Sequence, residues 1–512
     1  MKNTLKNIFT VGGFTAFSRV LGLGREMLQS RLIGAGVEQS AFSLAFAIPN
    51  MARKLFGEGA LTAAFVPVFK DEVENGRIES ARRLARAVMT MVLLILGSAV
   101  ALATVGLTVC LNLDLDLSPR TVLTLRLVRI LFPYMVFICG AAFGMGVLNA
   151  LGKFVEGAVM PALLNVVWIA TLGVLCFFPG LSVPTRVTVV SGAILAGGVM
   201  QMAFLFRCMA RRGYSPRLCF SAFRDEKVRL VWRNTAIAAF GAGAVQVNYM
   251  LDQVLAQCAA PWAAGVIGYA ERLMDLPLGV IGVAFGTVLL PTFAGFFARG
   301  DLDGARRSLA SSVVNLMTVM LPAAAGLFVV APELTSVIYE GRAFDAQATV
   351  RVSRALAVYA LGLGFFGLQK SLIPWFQAQK DMKTPLRVSV FTVVLNAVLN
   401  IAAVVSLPQE WRHVGLAVST DLCAAVGCGC LIALAVRRNG SLGLLGTVSP
   451  VVRILIGSCA MGGVLWCLRQ ALPAMSSLFL LALEILVGGA VYVLALGLMG
   501  QLAPLRRFFR RR

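Results

Sequence analysis

Histidine is almost missing: His413 is the single one in 512 residues, and acidic side chains are few, 24 Asp and Glu against 46 Lys and Arg. With one histidine there is no metal-type pairing of histidine with cysteine. His413 falls in a short connection near the end of an apolar run and is expected at the surface. The 11 cysteines are scattered, mostly inside apolar stretches as at Cys423, Cys428 and Cys430, and read as small packing residues rather than a redox device. No acid/base pair or cluster of metal-binding carboxylates stands out, which argues against an embedded glycosyltransferase or lipid pyrophosphatase and against an enzyme in general. Charged residues amount to 14% against 58% hydrophobic, so a soluble globular core is excluded. Lys2 and Lys6 precede the first apolar stretch without a small-residue cleavage site after it, so that stretch is expected to stay as a first helix.

What the chain does have is length without charge. Runs of about 20 apolar residues cover 87–110, 161–178, 187–206, 315–331, 414–436 and 478–499. The net charge of +22 could point to nucleic acid in a soluble protein, but here the basic residues sort by loop. One alternate set of connections plus both termini carries 30 Lys and Arg, whereas the other set holds Arg120, Arg186, Arg342, Arg412 and Arg469 among several carboxylates. The positive-inside rule then puts both termini in the cytoplasm and makes the number of helices even; fourteen suits the hydropathy best. The expected fold class is an all-α polytopic membrane protein.

The chain also repeats itself. Val66-Pro67-Val68-Phe69 with Gly76, Ala81, Arg82 and Arg83 recurs as Leu290-Pro291-Thr292-Phe293 with Gly300, Ala305, Arg306 and Arg307, displaced by 224 residues. Arg126 and Arg129 recur as Arg351 and Arg354, and Lys153 as Lys380. Two six-helix lobes, 1–215 and 216–440, are expected, related by an axis along the membrane normal with a cavity between them. Residues 441–512 add two helices and a basic tail. The basic stretch 207–233 reads as the cytoplasmic linker of the lobes.

Against this apolar background Arg19, Arg25, Arg53 and Arg272 stand out. A charge at bilayer depth costs about 2.5 to 3.5 kcal/mol on insertion scales, so such residues face water or a counter-charge. Arg19 and Arg25 differ in depth by about 9 Å along one helix, with Gly22 and Gly24 expected to let it bend. Either of them has a carboxylate to meet in Glu26 or Glu58. Arg53 follows Pro49 and Asn50 and precedes Glu58, while Arg272 sits between Glu271 and Asp275, where an internal ion pair is the alternative. The planar guanidinium donates two hydrogen bonds at once and stays charged, which suits phosphate and makes a lipid-linked pyrophosphate a sharper expectation than a simple carboxylate.

The motifs Phe17-Ser-Arg-Val-Leu-Gly22, Arg25-Glu26, Pro49-Asn50, Phe56-Gly-Glu-Gly-Ala-Leu61, Ala64-Phe-Val-Pro67, Tyr269-Ala-Glu-Arg-Leu-Met274, Leu289-Leu-Pro291 and Lys380-Asp-Met-Lys-Thr-Pro385 resemble those of the MurJ (MviN) family. The likeness covers about the first 440 residues by motif and the remainder by hydropathy. It implies the fold of the multidrug/oligosaccharidyl-lipid/polysaccharide exporter superfamily, two six-helix lobes in a V around a central cationic cavity, with two C-terminal helices forming a lipid-facing groove. It implies a lipid II flippase of the bacterial inner membrane, serving peptidoglycan synthesis by alternating access, with Arg19, Arg25, Arg53, Glu58 and Arg272 as substrate-binding residues. The chain departs from the family pattern at Ser40, where an aspartate is usual. The implied partners are lipid II, membrane lipids and the cell-wall synthesis machinery, with no nucleic acid. An exporter of another polyprenyl-linked saccharide or of drugs is the alternative.

A second, oxygen-rich set lies within apolar helices: Asp252, near Gln246 and Asn248, then Asn396, Asn400, Thr420 and Asp421. Such groups suit Na+ as a coupling ion, although amides one turn apart equally serve helix packing. No other cofactor is expected.

Overall fold

In hydrocarbon the backbone must satisfy its own polar groups, so long apolar runs without strand-like alternation fold as helices. A computed structural model describes residues 2–57, 59–113, 115–220, 225–472 and 475–501, and among these there are helices and no strands. In the first half lie α1 (Lys2–Ile33), α2 (Val37–Ala52), a π-helical turn (Arg53–Gly57), α3 (Ala60–Glu74), α4 (Ile78–Asn112), α5 (Pro119–Leu131), α6 (Tyr134–Ala150), α7 (Val155–Cys176) and α8 (Val183–Ala210). The second half contains α9 (Glu226–Ala259), α10 (Ala263–Ala298), α11 (Leu302–Tyr339), α12 (Ala346–Ala378), α13 (Lys383–Ser406), α14 (Gln409–Asn439), α15 (Leu445–Ala471) and α16 (Ser477–Leu498). Ten helical stretches among the described residues are long and apolar enough to cross a membrane, with α5 and α6 together forming one of them. Large apolar side chains such as Phe177, Val405 and Leu498 stand exposed on their outer faces, as lipid contact requires.

The chain divides into two compact units: Met1–Val254 with Gly341–Phe344, and Leu255–Glu340 with Asp345–Arg512. Within the first, α1 packs on α7, α6 on α8 and α2 on α5. Within the second, α11 packs on α12 and α15, α12 also on α10 and α14, α13 on α14, and α16 on α15. The repeated sequence has a backbone counterpart: Gly76 and Gly300, 224 residues apart, both adopt the left-handed conformation (φ 73° and 70°) at the turns before α4 and α11. α1 runs unbroken through Gly22 and Gly24, so these glycines do not interrupt it.

His413 is not on the surface. Pro408 starts α14 early enough to put the histidine in its first turns, and its ring is fully buried, edge-on to Trp262 at 4.9 Å between centroids. Its Nε2 lies 3.2 Å from the Arg351 carbonyl oxygen. The long-range partners Trp262 and Arg351 overrule the surface expectation drawn from the local stretch.

The basic stretch after α8 is tied to the first unit. Arg86 donates to the Ser215 carbonyl (3.3 Å), the Cys219 amide donates to Thr90 (2.9 Å), and Lys227 donates to Glu72 (2.8 Å) and Ser80 (3.2 Å). Glu72 also accepts from Arg77 (2.8 Å). Burial alone pushes the Glu72 carboxyl up, but hydrogen bonds from Lys227, Ser80 and Arg77 outweigh it and hold the group at about 2, below the ordinary 4.5. A depressed carboxylate adds stability that is complete above its unfolded value and fades as pH falls from about 4.5 toward 2. Lys227→Ala is therefore expected to lower stability at neutral pH by about 1 kcal/mol, a modest figure because the lysine is partly solvated. The variant should also lose less on acidification, as followed by thermal unfolding in detergent across that range.

Candidate functional site

Arg25 lies on the face of α1 that packs against α7, so its guanidinium meets that helix before it meets solvent. Its Nη1 donates to Asn165 Oδ1 (3.0 Å), its Nη2 pairs with Glu26, and the group sits 4.3 Å from the centroid of the Trp168 ring. Asn165 is itself fixed, donating from Nδ2 to the Ser18 carbonyl (3.1 Å). Trp168 and Asn165 are buried, so the cation is held in a fixed orientation by a polar group, a counter-charge and a π face at once. Arg19, six residues earlier on the same helix, is exposed. The expected pairing of an α1 arginine with Glu26 is thus found at Arg25, while Glu58 lies outside the described residues.

Arg53 opens the π-helical turn. Pro49, inside α2, brings no N–H to the helix ladder, and the five residues from Arg53 widen into i to i+5 hydrogen bonding before the chain restarts at Ala60. At the restart Gly59 admits a close approach: a Cβ there would stand 2.7 Å from the Lys54 carbonyl oxygen. Arg53 reaches back one turn, with Nε and Nη2 donating to Asn50 Oδ1 at 3.2 and 3.0 Å. Asn50 aligns the guanidinium while spending one acceptor on two of its five donors. Next to it Lys54 lies 5.1 Å over the Tyr249 ring.

Arg272 belongs to the second unit, on α10, half-buried one turn after Tyr269. That turn is anchored: Tyr269 and Tyr339 are fully buried with ring centroids 4.7 Å apart, and the Tyr339 hydroxyl donates to the Tyr269 carbonyl (3.3 Å). The four expected arginines therefore fall three in one unit and one in the other.

The oxygen-rich set divides as well. Asp252 is in the first unit, where Asn248 Nδ2 donates to it (3.0 Å). Asn396 and Asn400 are buried on α13, and Thr420 and Asp421 stand on the neighbouring α14, with Thr420 donating to the Leu416 carbonyl (3.0 Å). Asp421 fits into a gap left by Gly362 of α12: its carboxylate occupies the place a Cβ would take. Among the described residues no group of three or more His, Cys, Asp or Glu is placed to hold a metal ion. Sequence reasoning missed Asn165, Trp168 and Gly362. None of the three carries a signal of its own, since each matters through a residue on another helix.

A family profile described as Lipid II flippase MurJ matches residues 29–486. A Rhizobium tropici protein named probable lipid II flippase MurJ is 32% identical over 527 residues, covering 99% of this chain and 97% of its own length. A Burkholderia cenocepacia protein named lipid II flippase MurJ is 33% identical over 449 residues, covering 86% and 84%. Among solved structures, lipid II flippase MurJ in an inward closed conformation superposes with a TM-score of 0.79 at 22% identity over 98% of this chain and 99% of that one. An inward-facing multidrug resistance MATE transporter of the MOP superfamily gives 0.69 at 14% identity, over 83% and 95%, which speaks to the fold alone.

Proposed function

Because the chain belongs to the MurJ family of lipid II flippases, we propose that it moves lipid II from the inner to the outer leaflet of the inner membrane by alternating access, with Arg19, Arg25, Arg53 and Arg272 binding the pyrophosphate and Glu58 tuning that site. It is a multi-pass inner-membrane transporter and not an enzyme: the lipid keeps every bond it arrives with. The single observation that carries the binding role is the presence of oriented guanidiniums on otherwise apolar helices, Arg25 fixed by Asn165, Glu26 and Trp168 and Arg53 by Asn50. Such preparation presets the plane of each guanidinium, and an arriving anion with several oxygens takes the place of the side-chain oxygens that hold it.

In this reading the ten apolar stretches are joined by α1, the broken α2 and α3, α9 and α10 to make fourteen spans. Residues 1–215 and 216–440 are the two six-helix lobes, and 441–512 supply the last two helices and a basic tail. Both termini are cytoplasmic, as the charge bias of the loops requires. The prenyl chain stays in hydrocarbon along α15 and α16, which spares it about 0.8 kcal/mol per methylene of transfer into water. Sodium is the proposed coupling ion, with Asp252 in the first unit and Asn396, Asn400 and Thr420 in the second as separate candidate oxygens, and the cell-wall synthesis machinery supplies and takes up the lipid. A drug-exporting relative has the same fold, but cationic cargo is repelled by the arginines.

The test is rescue of a strain depleted of its own lipid II flippase, read as lipid II reaching the outer leaflet. Growth with newly exposed lipid II supports the function; membrane-inserted protein without either outcome refutes it.

A further inference from the structure

Three ionisable side chains that the headgroup and sodium readings leave unused meet where α11, α15 and α16 pack together in the second unit. α16 buries one stripe, Leu480, Leu481, Glu484, Gly488, Tyr492 and Leu496, and Glu484 is the sole charged residue of that helix. Its side chain is completely buried, and neither carboxylate oxygen has a hydrogen-bond partner. From α15, Arg469 Nε pairs with Glu333 Oε1 of α11 at 2.8 Å, and its Nη1 donates to the Val329 carbonyl at 3.4 Å. Glu333 is nearly buried too, with its Oε2 unpartnered. The charged groups that act on Glu484 are Glu333 from α11, which repels it, and Arg469 from α15, which attracts it. On α16 itself the other titratable group, Tyr492, is two turns away and committed to the Thr318 carbonyl at 2.6 Å.

Arg469 is thus committed to Glu333, and no donor is bonded to Glu484. An ionised Glu484 would be a buried charge without a donor beside a like charge, and the ordinary escape is to take up a proton. A sodium ion in its place needs several oxygens, whereas the neighbours of Glu484 on its stripe are Leu480, Leu481 and Gly488. A proton needs one lone pair.

We propose that Glu484 is a proton-binding site, its carboxylate combining with H+ to a neutral carboxyl while α16 is seated on α11 and α15. Glu333 and Arg469 form the entry: Arg469 is about a third exposed, at the C-terminal end of α15, and gives the site access to one side of the membrane. That this is the outer side rests on the orientation given under the proposed function. Release of the proton leaves a negative charge on the buried face of α16 next to Glu333, so pH on that side sets how firmly the last two helices hold to α11.

The experiment uses the full chain in lipid nanodiscs, comparing infrared difference spectra between acidic and alkaline buffer with thermal unfolding across the same range. The wild type should show a protonated-carboxyl band that disappears as pH rises, and its unfolding temperature should fall through the same interval. Glu484→Gln, nearly isosteric and unable to ionise, should lack the band and unfold at a temperature insensitive to that change. Glu333→Gln releases Arg469 to pair with Glu484, so the band should vanish at neutral pH although Glu484 is intact. An unchanged band in Glu484→Gln overturns the proposal, as does stabilisation by sodium over choline that Glu484→Gln abolishes. Neither readout involves lipid II, so failure here leaves the flipping function standing, and failure of rescue leaves these spectra unaffected.

Discussion

Arg272→Ala is expected to abolish rescue of a flippase-depleted strain while the protein still accumulates in the membrane, and Arg19→Ala to do the same. Each fork lost from a pyrophosphate removes two charge-assisted hydrogen bonds at about 1.5 to 3 kcal/mol each, which is roughly a ten- to hundred-fold loss in affinity per bond. Arg272→Lys should restore only part of the activity, because an ammonium is a point charge that cannot engage two oxygens in one plane. The rival role for Arg272 is an internal ion pair with its carboxylate neighbours, Glu271 or Asp275. That role predicts a different pattern: alanine would lower the amount of folded protein, and lysine would repair it fully. Arg19, on an exposed position of α1, has less packing to lose, so its substitution separates binding from stability more cleanly. Membrane protein level and outer-leaflet lipid II, measured together on the three variants, decide between the two roles.

Gly362→Ala should remove any sodium dependence of flipping and destabilise the second unit by about 1 to 3 kcal/mol, the usual cost of an added methyl in a packed interior. The position faces α14, and the Asp421 carboxylate already fills the volume a methyl would claim. Moving that carboxylate shifts α14 at Thr420, beside the α13 face that carries Asn396 and Asn400. Thr420→Val keeps the shape and removes one of the proposed oxygens, so it should lose sodium dependence with little change in unfolding temperature. If both variants flip with the wild-type response to sodium, the oxygens of α13 and α14 serve helix packing instead.

The helices were legible because hydropathy is additive along the chain: each of the ten apolar stretches needs only its own residues to be recognised. The break after Ala52 was not foreseen, although Pro49 removes a donor and Arg53 with Lys54 put two cations in an apolar run. What could not be read was who holds what. Arg25 is anchored by Asn165, 140 residues further on, and an asparagine in an apolar run looks the same whether it packs or positions. His413 looked like a loop residue because its burial is produced by Trp262 and by the Arg351 carbonyl, both remote in sequence. Glu484 is a lone carboxylate in an apolar run that the sequence reading passed over, and its meaning depends on Arg469 being bonded to Glu333. Local physics fixes where helices run and where charges interrupt them; pairings between helices are properties of the packed state.

The most direct measurement places the purified protein in liposomes carrying lipid II on the inner side and counts headgroups captured on the outer side, for the wild type and for a variant with Arg19, Arg25, Arg53 and Arg272 replaced by glutamine. Guanidiniums that carry the pyrophosphate require rapid exposure by the wild type, inhibition by added pyrophosphate, and none of either in the variant. Equal exposure by both proteins would contradict the role given to the arginines.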